Sequence, residues 1–425
     1  MDIFVGVIVG LLVLMILVTL HELGHFIAAR RNGVRVLEFG ICFPPRAVAW
    51  MKDPKTKKWK KIPRKDWKKP QDGLIFSLNW LPIGGFCQMD GESDADTRKG
   101  TFGAASYWAK TKILFAGVAM NWLVAFVIFT ILAWTGMPAF LEGQFTIPAD
   151  ARVDAEPVQV TEVAEGSPAD IAGMEVGDYI VAVDGTEVKY ASDIREINEA
   201  HAGEEVTYTV QREHAIEVDT GVRCITEPCP SAEEQIVDEE MDLLVALNPA
   251  GSEYLLGVSM ASTQSLTYST WSAPLVGAGL TVQLTGETFK GVGLMLWNLV
   301  SGVGSQFSPD SNVRENGQEA ISSVGDSVAG PVGIVGQIFP AFTAAGPTNL
   351  AFLAALISVS LACMNVLPIP ALDGGRWLLI TIYKLRKKKL TKETEERIVS
   401  RAFIVLLALI FIVTILDIVR IANGG

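Results

Sequence analysis

Residues 21–25 read HELGH, and they directly follow an uncharged apolar run, IFVGVIVGLLVLMILVTL, at residues 3–20. A run of this length and composition is typical of a membrane span. On a helix, His21 and His25 lie one turn apart on one face, where they can share a Zn²⁺ while Glu22 acts as a general base. The alternative is that these side chains only snorkel toward the interface. Because ionisable residues in a span are costly and usually functional, the stretch predicts a metallopeptidase site.

The stretch does not complete a zinc site by itself. Zinc needs at least one further protein ligand. The chain has only four histidines, and the other two, His201 and His214, lie in a polar region far along the sequence. We therefore expect a carboxylate from another span to supply the third ligand.

Composition favours an integral membrane protein. Hydrophobic residues make up 49% of the 425 residues and charged residues only 19%, and the mean hydropathy is +0.33. The net charge of -12 is uneven, since residues 150–242 are acidic and two short loops are basic. A basic loop beside a span indicates topology rather than nucleic-acid binding. The first apolar run is too long for a signal peptide and lacks a basic start and a cleavage site, so we expect it to be retained.

The basic loops predict four transmembrane helices, beginning with residues 1–30. Basic residues at 52–69 and 384–392 place both loops in the cytoplasm. An even number of spans must separate them, and residues 112–135 and 350–373 already make two. Residues 271–303, within the segment 271–345, are then expected to lie on the membrane surface or to pack beside the spans. A last span at 398–420 puts both termini outside.

The cytoplasmic segment 31–111 contains two apolar stretches, 34–50 and 74–88, broken by Pro and Gly. They predict strands, and hence a membrane-associated β-hairpin region. Gly84 and Gly85 suit either a sheet edge that pairs with an extended substrate or a plain hairpin turn. In the second span, Gly117 and Asn121 lie one turn apart, which favours close helix packing and lets Asn121 orient a group in the site.

The segment 150–262 is polar, acidic and strand-like. With GSPA at 166–169 and GDYI at 177–180, it resembles a bacterial PDZ domain of α+β fold, and the loop residues Leu256, Gly257 and Val258 resemble its peptide-carboxylate loop. An insertion carries Cys224 and Cys229, which are either a small disulfide or two free thiols. The other three cysteines are expected to be ordinary apolar side chains.

Near the third span, Asn365 and Pro368 precede Asp373. Two prolines break the helix at membrane depth, and Asp373 follows at the cytoplasmic end, at the depth of the histidines. With these motifs in order, the sequence resembles the site-2 protease family of intramembrane zinc metalloproteases, specifically the regulator-of-sigma-E protease group. The motifs that carry the resemblance are HELGH at 21–25, PIGGF at 82–86, Gly117-x-x-x-Asn121, the PDZ insertion, GPVGI at 330–334, NVLP at 365–368 and LDG at 372–374.

The resemblance implies that Asp373 is the third ligand of one Zn²⁺ per chain and that PDZ domains gate access. Well-known members carry two PDZ domains, whereas one is identified here. The candidate substrate-binding residues are Gly84, Gly85, Phe86, Asn121, Asn365 and Pro368.

The expected function is cleavage of single-pass membrane proteins, such as anti-sigma factors or signal-peptide remnants, in regulated intramembrane proteolysis. The expected location is a bacterial inner membrane, in contact with lipid and not with nucleic acid, with the PDZ domain outside. One alternative is a membrane-anchored PDZ adaptor with a structural zinc site, although such a site normally has a fourth protein ligand. A metal transporter is the other, but the spans carry few polar residues.

Overall fold

The structure, a computed structural model, describes residues 2–53, 56, 58–67, 73–141, 143–155, 158–188, 190–219, 232–252, 254–261, 264–306, 314, 316–318 and 330–422. The chain forms two compact units. Unit 1 comprises Met1–Met137, Phe145–Asp150 and Tyr268–Gly425, and unit 2 comprises Pro138–Gln144 and Ala151–Thr267.

The helices, numbered in chain order, are α1 (Asp2–Arg31), α2 (Tyr107–Thr135), α3 (Pro168–Ile171), α4 (Ala191–Ala200), α5 (Ala273–Ser305), α6 (Pro331–Ala344, with a π-helical stretch at Ile334–Ile338), α7 (Pro347–Val366), α8 (Asp373–Leu385) and α9 (Lys392–Ala422). A 3₁₀ turn spans Arg64–Asp66.

The strands are β1 (Val36–Lys52), β2 (Trp59–Lys61), β3 (Ile75–Met89), β4 (Met137–Pro138), β5 (Arg152–Ala155), β6 (Val158–Val163), β7 (Tyr179–Val183), β8 (Thr186–Glu187), β9 (Glu205–Asp219), β10 (Ala232–Ala246), β11 (Val258–Ala261) and β12 (Gln264–Thr267).

Within the described residues, four helices are long and apolar enough to cross a membrane. The candidate spans are Ile3–Arg31 in α1, the whole of α2, the whole of α7, and Lys392–Ile415 in α9. In α1, apolar side chains such as Ile8, Leu12 and Ile16 are exposed. A helix that is apolar on all sides but only partly covered by protein is suited to lipid contact. The molecule is therefore built as a membrane-embedded protein.

The third of these helices is shorter than the predicted span 350–373. It ends at Val366, and the chain is non-helical until Asp373 begins α8. Pro368 and Pro370 cause the break, because proline removes a helix donor and disfavours helix at the preceding residue. Asp373 is therefore the first residue of a new helix rather than the last residue of the span.

Helix α5 corresponds to the predicted segment 271–303. It is a single helix of 33 residues, or about 50 Å, and it packs along α2. Gly277 allows the close approach, since a Cβ there would lie 2.4 Å from Oγ1 of Thr130. Its buried residues Val276, Leu280 and Leu284 form the contact face.

The β region of unit 1 consists of two long strands that pair with each other twice. Residues 38–41 of β1 pair with residues 85–88 of β3 on one side and with residues 75–78 of the same strand on the other. Residues 48–51 of β1 pair with 75–78 again, and β2 adds to the outer side. The C-terminal half of β3 is consequently an edge strand, with no strand among the described residues on its outer side.

Unit 2 contains a sheet in the order β10-β9-β7-β6-β11, with β8 paired to β7. Its core is formed by apolar residues of the sheet and of the two short helices, including Val160, Ile180, Ile194 and Tyr208. Strands β9 and β10 form a long antiparallel hairpin. Cys224 and Cys229, for which the sequence left a small disulfide and two free thiols open, lie outside the described residues.

Candidate active site

Three predicted ligands meet between α1 and α8. Nε2 of His21 and Nε2 of His25 are each 3.2 Å from Oδ2 of Asp373, and the two Nε2 atoms are 3.1 Å apart. Among the described residues, these three form the group of potential ligands that could hold a metal ion. Side chains more than 340 positions apart in the sequence are thus brought to one point.

Helix α2 is the support on which both sets of ligands rest. Nδ1 of His25 donates to the carbonyl oxygen of Ile113 at 2.8 Å. On the other side, α8 is fastened to the start of α2, because Nε1 of Trp377 donates to Oγ1 of Thr111 at 3.1 Å. Asp373 is therefore fixed relative to the histidines through α2.

The donor set fits a cation. Because Nδ1–H of His25 donates to a carbonyl, its Nε2, which faces the carboxylate of Asp373, is the ring nitrogen left to bind a metal. Oδ2 of Asp373 is buried and has no hydrogen-bond partner. When Nε2 of a neutral histidine faces a carboxylate oxygen, both atoms are hydrogen-bond acceptors, and the arrangement is stable only with a positive charge between them. Two imidazoles and one carboxylate are a common protein ligand set for zinc in hydrolases.

Gly117 makes room for this arrangement. A Cβ at this position would lie 2.5 Å from Nε2 of His25 and 2.6 Å from Nε2 of His21. Residue 117 is one turn after Ile113, and a side chain there would also cover the carbonyl that holds His25. The glycine is thus needed where α2 passes directly beside the ligand nitrogens.

Asn121 continues this row on α2 and lies behind His21, not in the cavity wall. It is fully buried, and its amide is 3.2 Å from Nδ1 of His21, while its Oδ1 has no partner. Turning the amide by 180° lets Oδ1 accept from Nδ1–H and leaves Nε2 of His21 free for a metal. Asn121 therefore contacts a candidate ligand, in line with the expectation that it orients a group in the site, and its role in substrate binding stays a prediction.

A cavity of about 250 Å³ opens onto the three ligands. Glu22 and Asn365 line it, as the sequence predicted for residues of the site. Its other lining residues, which the sequence analysis did not single out, include Cys87, Glu92 and Arg376. Burial, with the nearby carboxylates of Glu22 and Glu92, raises the pKa of the Cys87 thiol to about 12. A thiol that stays protonated is a poor metal ligand, consistent with a site of two histidines and one aspartate.

The remaining predicted substrate residues lie close to the cavity but outside its lining. Gly84 has a positive φ of 73° and approaches α1, where a Cβ would lie 3.0 Å from Cγ1 of Val18. A Cβ at Gly85 would lie 3.3 Å from Oγ1 of Thr19. The ring of Phe86 packs at 6.2 Å from that of Phe43. Pro368 is exposed and ends α7.

The free edge of β3 enters the cavity beside Glu22. Cys87 and Met89 line the cavity, and the backbone N–H of Cys87 interacts with the Glu22 carboxylate. An edge strand presents unpaired N–H and C=O groups to which an extended chain can add. The arrangement therefore places a strand-pairing surface next to a metal-ligand set and a carboxylate base.

Unit 2 carries a separate groove of about 370 Å³ between α4 and β11, lined by Leu256, Gly257 and Val258. The carbonyl of Leu256 accepts from the N–H of Ala169 at 3.0 Å, and that of Gly257 from Ala164 at 2.8 Å. In a trans peptide the next N–H points the opposite way. The N–H of Gly257 therefore points away from α3, and the N–H of Val258 points away from Ala164.

Comparison with known proteins gave a match to the model of peptidase family M50 over residues 9–410. A relative from Clostridium perfringens is 27% identical, covering 97% of this chain and 98% of the relative. A relative from Agrobacterium fabrum is also 27% identical, with 91% and 88% covered. The RasP protein of Bacillus licheniformis is 26% identical, with 97% and 99% covered. The names of all three include zinc metalloprotease.

Proposed function

This chain belongs to peptidase family M50 and is a zinc metalloprotease of the site-2 type, and on that premise we propose that it cuts single-pass membrane proteins within their spans. The observation that carries the proposal is the position of the ligands. His21 and His25 lie in a helix whose preceding residues 3–20 carry no charge. A substrate must therefore reach them at membrane depth.

We assign the zinc ion, one per chain, to His21, His25 and Asp373. When bound, zinc polarises the substrate carbonyl and makes a water molecule acidic near neutral pH. Glu22, which is not in the ligand set, would act as the base that accepts a proton from the attacking water and donates it to the leaving amine. Ile113 and Asn121 contact the Nδ1 atoms of His25 and His21, which leaves both Nε2 atoms facing Asp373, where they would bind the metal.

The substrate has to be extended at the cut. A transmembrane helix satisfies its own backbone hydrogen bonds, so its amides are protected. Pairing with the free edge of β3 near Cys87 would replace those bonds with strand bonds. Helix-breaking residues near the centre of the substrate span therefore favour cleavage. Gly84 and Gly85 let the strand lie against α1, and Asn365 contributes an amide to the cavity wall.

We further propose that unit 2 is a PDZ domain that selects substrates and performs no chemistry. The outward N–H groups of Gly257 and Val258 suit the carboxylate of a peptide terminus. Anti-sigma factors or signal-peptide remnants, trimmed by an earlier cut, would supply such termini in regulated intramembrane proteolysis. The groove supports this role because it lies between an edge strand and a helix.

The proposed setting is a bacterial inner membrane crossed four times, with the PDZ domain and both termini outside. Basic residues beside the first span support this orientation. Single cysteines in a cysteine-free background, labelled from outside in intact spheroplasts, test it. A probe at Glu162 should react and a probe at Lys60 should not. Reaction of both from the same side would contradict the orientation.

Cleavage itself is tested with purified protein in nanodiscs and a designed single-span peptide of Leu and Ala with a central Pro-Gly. Mass spectrometry of the products should locate the cut inside the apolar span. A matched peptide without Pro-Gly should be cut more slowly. A cut confined to the polar tails, in the wild-type protein and not in Glu22→Gln, would show a peptidase that works outside the membrane.

A further inference from the structure

Glu92 makes a hydrogen bond that the proposed function does not use. Its Oε1 accepts from the backbone N–H of Met89 at 3.0 Å. Met89 is the last residue of β3, and it is buried, whereas Glu92 is exposed. A solvent-accessible carboxylate thus occupies a backbone donor at the end of the strand that borders the active site.

The donor belongs to the free edge of the strand. In an antiparallel pair, every second residue turns its N–H and C=O toward the partner, and the others point outward. The N–H of Cys87 faces Glu22, so the outward set includes residues 87 and 89. Both outward donors beside the site are therefore met by carboxylates, and the one at Met89 is met by Glu92.

Glu92 also stands between two cavities. The cavity at the ligands and a larger neighbour of about 830 Å³ share Met89, Glu92, Ala371 and Arg376 in their linings. The larger cavity continues along β3 past Gln88. Its charged lining residues include Arg98, Arg376 and Glu395, so it suits a polar peptide rather than an apolar span. A chain paired with the β3 edge would leave the site past Glu92 into this space.

The side chain of Glu92 can move without its backbone. Arg376 donates to the carbonyl oxygen of Glu92 at 3.0 Å and contacts Glu395 at 3.7 Å. Glu395 in turn accepts from the N–H of Asp94 at 2.9 Å. These bonds hold the loop after β3 while leaving the Glu92 carboxylate bound only through Met89 among the described residues.

We propose that Glu92 occupies the β3-edge donor that an extended substrate needs, and that substrate binding replaces its carboxylate with a substrate carbonyl. The larger cavity takes the polar residues beyond the cut. This inference rests on the proposed function, because it assumes strand pairing at β3. It makes Glu92 a positioning residue that competes with substrate for one hydrogen bond.

The size of the effect follows from that one bond. A hydrogen bond within a protein contributes a net free energy that corresponds to about two- to tenfold in an equilibrium constant. Removing the competing carboxylate should therefore lower KM by about two- to tenfold. The rate of the chemical step should change less than KM, because Glu92 is not among the assigned ligands and is not the base.

Three variants distinguish the effect of the length of the Glu92 side chain from the effect of its charge. KM and kcat are measured for each variant with the designed single-span peptide in nanodiscs. Glu92→Ala removes the acceptor, and Glu92→Asp keeps the charge but is one methylene too short. Both should lower KM. Glu92→Gln keeps an acceptor of the same reach and should restore a KM near that of the wild type. Zinc content and Tm, measured in parallel, identify any variant that fails to fold. If Glu92→Ala fails to fold, the comparison of Glu92→Asp with the wild type still tests the proposal.

Two results would overturn the inference. If Glu92→Gln and Glu92→Ala shift KM equally, charge rather than the hydrogen bond is responsible. If folded Ala and Asp variants keep or raise the wild-type KM, the carboxylate does not compete with substrate. Glu22→Gln, run alongside, distinguishes this failure from failure of the proposed function, which would be shown by cleavage in that variant.

Discussion

Nδ1 of His25 on α1 donates to the backbone carbonyl of Ile113 on α2 at 2.8 Å. In a regular helix that carbonyl accepts from the N–H of residue 117, and here residue 117 is glycine. The carbonyl is accessible to the imidazole because no side chain covers it. Ile113, Gly117 and Asn121, at intervals of four, therefore form one face of α2 that orients both histidines.

The first prediction concerns Gly117. Gly117→Ala places a methyl group within 2.6 Å of ring nitrogens of both His21 and His25, so the rings must move apart. We expect zinc affinity to fall by more than about tenfold, and activity with it. Gly286→Ala is the control, because a Cβ at Gly286 meets nothing within 4 Å. Equal zinc affinity in the two variants would refute the role of Gly117.

Asn121 is predicted to act through His21. Asn121→Ala leaves Nδ1 of His21 without its partner, and loss of such a partner typically costs about 10- to 100-fold in metal affinity. Competition with a zinc chelator measures the change. Ser358→Ala is the control, because Ser358 bonds only the backbone oxygen of Asn121, at 2.9 Å. An Asn121→Ala protein that holds zinc as tightly as the wild type contradicts this assignment.

A third prediction concerns the stability of the β region. Glu38, only 3% exposed, pairs with Arg46 and accepts from Ser77 at 2.6 Å. Glu38→Ala leaves a partly buried guanidinium without its carboxylate, a change that costs about 3–5 kcal/mol. We expect a clear fall in Tm. Lys60→Ala, at the exposed pair with Asp53, should change the free energy of unfolding by less than about 1 kcal/mol. Similar Tm values in both variants would contradict the prediction.

The groove of unit 2 is predicted to require a free carboxylate. A labelled peptide with a free C-terminus should bind the full-length protein, and the same peptide amidated should not. Gly257→Ala should weaken binding, because φ is 83° and a Cβ would lie 2.2 Å from that of Ser167. Zinc content should stay constant. Equal affinity for the two peptides would exclude capture of a terminus.

Much of the candidate site could be predicted from the sequence because its chemistry is local. The spacing of His21 and His25 fixes their common face, and the prolines before Asp373 fix the end of α7. The strands of the β region were expected, but not their double pairing, because a strand that bends and pairs twice has no periodic signature. The predicted span 350–373 was too long, because the run of mostly apolar residues continues through 367–372 whereas the helix ends at Val366.

The roles of Asn121 and Glu92 could not be read from the sequence. Spacing placed Asn121 near Gly117, but only the packing of α2 on α1 shows that its amide meets His21. Glu92 follows a predicted strand as one acid among many in the chain. Its contact with Met89 depends on the turn between them, which sequence patterns do not specify.

The proposed site assigns one zinc ion to His21, His25 and Asp373 and the role of base to Glu22. Zinc per chain, measured by plasma mass spectrometry together with cleavage of the single-span peptide, tests it most directly. Glu22→Gln should keep about one zinc and lose activity, and Asp373→Ala should lose both. A Glu22→Gln protein that still cleaves, or an Asp373→Ala protein with full zinc occupancy, would contradict the account.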